Sequence, residues 1–62
     1  MKRVDLEDKL RELGWNATGE TSGRNHVVWT HVSGRRGSLY VPVYDIIFDS
    51  NAEGILRDAE GR

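Results

Sequence analysis

The 62-residue chain has no cysteine, one proline and one phenylalanine. Without thiols, disulfide staples, thiolate zinc sites and cysteine nucleophiles are excluded, and the absence is compatible with a reducing cytoplasm. No stretch approaches the ~20 consecutive apolar residues that a membrane-spanning helix needs. The N-terminal residues turn acidic at Asp5, before an apolar targeting segment forms, so a soluble, cytoplasmic protein is expected. Acid is missing from one region altogether: between Thr21 and Tyr44 there is no Asp or Glu.

That gap organises the charge. The net charge of -1 argues against a uniformly basic nucleic-acid binder. Inside the acid-free window, however, lie Arg24, Arg35, Arg36, His26 and His31, while Asp5, Glu7, Asp8 and Glu12 precede it and Asp45, Asp49, Glu53, Asp58 and Glu60 follow. A chain sorted in this way can offer a polyanion one basic face despite its near-neutral total. A chain this short buries only about 60% of its unfolded surface. One domain over 1–62 is expected, with no deep cofactor cleft and no cofactor.

Leu6, Leu10 and Leu13 recur at helical spacing and predict an amphipathic helix over Val4–Leu13, stopped by Gly14. Asp5 with Lys9 and Glu7 with Arg11 are spaced as i, i+4 ion pairs on its surface. Trp15–Thr18 reads as a short strand and Gly19–Gly23 as a polar turn; 26–31 reads as a second strand. Ser33–Gly37 is a hairpin connection into a third strand over Ser38–Val43, in which Leu39, Val41 and Val43 share a face. Pro42 cannot donate to a ladder and belongs near a strand end or an edge. Ile46, Ile47 and Phe48 form an apolar cluster in a loop expected to plug the core. Ser50-Asn51-Ala52-Glu53 matches a capping box that starts a last helix, with Gly61 as its C-terminal cap. The expected fold class is α+β: α-β-β-β-α, a three-stranded antiparallel meander with both helices on one face.

Metal-free RNA cleavage needs a base for the 2′-hydroxyl, a proton for the leaving 5′-oxygen and positive charge around the phosphorane. Histidine carries protons near neutral pH and arginine clamps phosphate. Strand parity sets Val27, Trp29 and His31 on one side and His26, Val28 and Thr30 on the other. The heavier pair marks the core, so His26 is expected to point away from the helices. The competing reading makes His26 a strand-end residue that caps a turn, His31 a structural group, and Arg35-Arg36 a solvated hairpin tip. Trp15 and Trp29 fit core anchors better than base-stacking platforms. Two histidines without cysteine or acids at ligand spacing make a poor metal set, and no glycine pattern joins a strand to a phosphate-binding helix.

Taken in order, these residues resemble the HicA family of toxins from bacterial and archaeal toxin-antitoxin systems. The resemblance runs through a helix ending in Gly14-Trp15, the turn Gly23-Arg24-Asn25-His26 into an apolar strand, the basic hairpin Gly34-Arg35-Arg36, the strand ending Val41-Pro42, and Leu56-Arg57 in the last helix. It implies a double-stranded-RNA-binding-domain-like fold and a ribosome-independent mRNA interferase. It further implies His26 as the single catalytic histidine and a HicB-type antitoxin partner that covers it. Arg24, Arg35 and Arg36 are the expected RNA contacts. The chain departs from the family in three places. Arg24 replaces a small serine, Tyr44 stands where many members have histidine, and the C-terminal region is acidic. A noncatalytic RNA-binding or protein-interaction module on the same fold is the alternative.

Overall fold

A computed structural model describes residues 1–61. The order is α1 (Arg3–Glu12), β1 (Trp15–Ser22), β2 (His26–His31), β3 (Ser38–Pro42) and α2 (Asp49–Gly61). The strands form one antiparallel sheet in the order β1-β2-β3. Both helices pack on the same face of it: Leu6 and Leu10 of α1 and Ala52 and Ala59 of α2 close over Trp15, Trp29, Leu39 and Val41. The α-β-β-β-α meander expected from the apolar spacing is therefore the fold.

Two boundaries differ from expectation. β1 continues through residues 19–22, which read as a turn, and the true turn is only Gly23-Arg24-Asn25. A bulge between Ala17 and Thr21 carries the strand through this polar stretch. Gly19 takes φ +84°, the Thr18 hydroxyl donates to the Val28 carbonyl at 3.0 Å, and the Glu20 amide donates back to Thr18 Oγ1 at 3.1 Å. From Asn16 to Thr21 this edge strand is exposed on both faces, so no apolar alternation marks it. The second difference is at α2, which starts at Asp49. Phe48 provides the first accepting carbonyl, from the Ala52 amide at 2.9 Å, so Ser50 lies inside the first turn and not at the cap. The helix also runs through Gly61 rather than stopping before it.

The ion pairs on α1 differ too: Arg3 pairs with Glu7 and Arg11 with Asp8. Arg11 sits over the Trp29 ring, 5.2 Å from its centroid, which draws its guanidinium toward the sheet and away from Glu7.

The stop after α1 rests on Gly14. Its φ is +93°, and an added Cβ would stand 2.8 Å from His31 Nε2. Gly14→Ala is expected to cost about 2–3 kcal/mol through backbone strain and displacement of the His31 ring. This should appear as a lower denaturant midpoint at unchanged m-value.

The 44–48 segment fulfils its expected role through one residue. Ile47 is buried in the core, while Ile46 and Phe48 are 65% and 84% exposed. Backbone bonds hold the segment against the start of α1. The Ile47 amide donates to the Met1 carbonyl, the Arg3 amide donates to the Asp45 carbonyl, and Lys2 forms an antiparallel bridge with Ile46.

Candidate active site

The two histidines stand at opposite ends of β2 and in opposite states. His31 is fully engaged. The Ser33 amide approaches Nδ1 at 3.1 Å and the Leu13 carbonyl lies 3.0 Å from Nε2. An N–H facing Nδ1 and a carbonyl facing Nε2 assign the proton to Nε2, with Nδ1 as acceptor. Trp15 packs edge-on against the ring at 5.3 Å. The structural reading of His31 is the one its surroundings fit.

Arg36 belongs to the same cluster. Its Nη2 donates to the carbonyls of Ala59 and Glu60 at 3.2 and 3.1 Å, and its guanidinium lies 5.9 Å from the Trp15 ring centroid. The Trp15 indole N–H also donates to the Ala59 carbonyl, at 3.2 Å. These groups satisfy the otherwise orphaned carbonyls at the end of α2 and set a cation against the negative end of the helix dipole. With Nε2 of His31 protonated, the 3.3 Å approach of Arg36 Nη1 is a packing contact. Arg36, expected among the RNA contacts, is thus occupied in holding α2 to the hairpin. Arg36→Ala is expected to lower stability by about 2 kcal/mol, with Arg36→Lys recovering only part of it because an ammonium lacks the planar guanidinium that lies against Trp15. Urea titration checks this.

His26 is half-buried, and its ring makes no hydrogen bond or ion pair among the described residues. Its parity is the expected one, shared with Val28 and Thr30, and it pairs with Pro42 across β3 and with Ser22 across β1. The expectation that it faces away from the helices needs amending. At this end of the sheet the 44–48 segment folds back and the first turn of α2 arrives. His26 therefore lines a pocket of about 250 Å³ with Pro42, Tyr44, Ile46, Ile47, Phe48 and Asn51. This lies below the roughly 300–1,000 Å³ of small-molecule and cofactor sites, so it has room for one flat ring or one side chain.

The turn before His26 is anchored from behind. The Val43 amide donates to the Asn25 carbonyl at 2.9 Å, and the Arg3 guanidinium donates to the Val43 carbonyl. Gly23 supplies the left-handed residue of the turn, at φ +64°. Arg24 is exposed in that turn and makes no ion pair among the described residues.

Arg35 is also exposed, but it lies in the β2–β3 connection. At ~3.3 Å per residue, β2 carries that end about 17 Å from His26. The fold therefore groups His26 with Arg24 and separates both from Arg35 and Arg36.

Lys2, Tyr44 and Asn51 were not among the expected site residues. Asn51 and Tyr44 line the pocket, and the bridge to Ile46 brings exposed Lys2 beside it. No local pattern marks these three as site residues; for Lys2 and Asn51 only tertiary pairing reveals the association. The acids here are compensated. Asp45 pairs with Arg3 at 3.4 Å and Asp49 with the Met1 ammonium at 2.8 Å. Hydrogen bonding from that ammonium, then its charge, hold the Asp49 carboxyl below the usual carboxylate range.

Among the described residues no three His, Cys, Asp or Glu side chains converge as a metal site, and no helix is long and apolar enough to cross a membrane. Comparison with protein-family models, curated proteins and solved structures finds no match to this chain.

Proposed function

We propose that this protein is a HicA-like, metal-independent endoribonuclease that acts on mRNA in the cytoplasm, on a double-stranded-RNA-binding-domain-like fold, with a HicB-type antitoxin as its inhibitor. The observation that carries the reading is the contrast between the histidines: His31 has both ring nitrogens engaged, whereas His26 has neither and lines an open pocket. An imidazole without internal partners is free to exchange protons with a substrate.

In this mechanism His26 takes the proton of a 2′-hydroxyl as its oxygen attacks the adjacent phosphorus. The bond from phosphorus to the 5′-oxygen then breaks, and the same imidazole or a water returns a proton to that oxygen. The products are a 2′,3′-cyclic phosphate and a 5′-hydroxyl. Arg24 supplies charge to the phosphorane, and Arg35, about 17 Å away along β2, meets phosphates further along the strand.

A second reading, a noncatalytic RNA-binding or protein-interaction module, draws on the exposed Tyr44, Ile46 and Phe48 and on the distance between His26 and the hairpin arginines. Incubating the purified protein with an mRNA in excess chelator separates the two. Fragments ending in cyclic phosphate and 5′-hydroxyl support the nuclease. Salt-sensitive binding of RNA that stays intact supports the module.

A further inference from the structure

We infer that the pocket beside His26 receives a single unstacked nucleobase of single-stranded RNA, stacked against Tyr44 and Phe48 and recognised at its edge by Asn51. The inference rests on RNA being the ligand, as proposed above, and adds where and how a base is held.

The lining suits a base. Pro42, Ile46 and Ile47 provide apolar wall, while the polar functions are the His26 imidazole, the Tyr44 hydroxyl and the Asn51 amide. A nucleobase has apolar faces and a hydrogen-bonding edge, and an amide offers donor and acceptor together, as such an edge requires. The volume, about 250 Å³, admits one ring system but not a dinucleotide-sized group.

The rim suits a nucleotide's remaining parts. Tyr44, Ile46 and Phe48 alternate along the segment and are 56%, 65% and 84% exposed. Three such side chains around one opening form a patch and not scattered exposure. Aromatic faces of this kind stack bases with little regard to sequence.

Charge favours RNA over an apolar protein segment. Lys2 and Arg24 flank the site and form no ion pair among the described residues, whereas both nearby carboxylates, Asp45 and Asp49, are matched by cations. A phosphate next to the bound base therefore meets two unmatched cations.

The test is fluorescence anisotropy with wild-type protein and short 2′-O-methylated single strands, which cannot be cleaved because the attacking hydroxyl is blocked. Homopolymers of each of the four bases are compared with an abasic strand of equal length. The base-bearing strands are expected to bind about tenfold tighter or better than the abasic one. Phe48→Ala should remove most of that margin, Asn51→Ala should flatten the differences among the four bases, and Arg24→Ala should weaken all strands alike. Phe48 and Asn51 are exposed, and circular dichroism checks that both variants fold.

Equal binding of abasic and base-bearing strands, wild-type behaviour of both pocket variants, or no RNA binding at all overturns the inference. Cleavage of unmodified RNA is scored in parallel. Base preference without cleavage leaves the pocket standing and rejects the nuclease; cleavage without base preference does the reverse.

Discussion

Trp15→Ala is expected to leave the chain largely unfolded at 25 °C. Trp15 is fully buried at the junction of α1, β1 and the end of α2, and its N–H is one of the bonds that hold Ala59. Truncating a buried tryptophan costs about 3–5 kcal/mol. A core in a chain this short supplies roughly 3–5 kcal/mol in all. The substitution removes as much as the fold has, and it also strips the edge packing of His31 and the surface under Arg36. Loss of the near-ultraviolet circular dichroism and of a cooperative thermal transition is the expected readout. A variant that still melts cooperatively within a few degrees of wild type would show that Trp15 is not the anchor described.

His26→Ala is expected to have the opposite profile, with a large effect on activity and a small one on stability. The ring is half-buried and bonded to nothing among the described residues, so its removal leaves no orphaned partner. Positioned proton transfer contributes about 10²- to 10⁴-fold to such reactions, which sets the expected fall in cleavage rate. His31→Ala should behave differently again. It leaves the Leu13 carbonyl and the Ser33 amide without their partner and opens a space against Trp15. Stability falls there, and activity falls only as far as the fold does.

The fold was legible because its apolar residues obey simple periods. Leu6 and Leu10, Val27 and Trp29, and Leu39 and Val41 are all found packed into or against the core on the expected side, and Gly14 stops α1 where the spacing ends. The second half of β1 was not legible. A polar edge strand exposed on both faces carries no alternation, and its pairing is set by Val27 and His26 across the bulge. The start of α2 was misread by two residues because Ser50-Asn51-Ala52-Glu53 has a capping composition, yet Asp49 is already helical and is engaged by the Met1 ammonium.

The geometry of the candidate site was legible in part. The turn containing Arg24 and His26 was recognised from its glycine, its acid-free surroundings and its place before an apolar strand. The role of Arg36 was not, since its partners Ala59 and Glu60 are more than 20 residues away in sequence and nothing local distinguishes it from Arg35. The pocket was equally hidden. It arises from three separate segments, β2 at His26, the 44–48 segment and α2 at Asn51, and only tertiary closure brings an amide and an aromatic rim to the histidine.

The most direct test of a one-histidine, metal-free nuclease is single-turnover cleavage of an end-labelled RNA oligonucleotide in excess chelator, by wild type and His26→Ala side by side, with both proteins shown to fold by circular dichroism. The account predicts cyclic-phosphate-ended products from wild type and a rate at least about 100-fold lower for His26→Ala. Equal rates for the two folded proteins, or no cleavage by wild type, would contradict it.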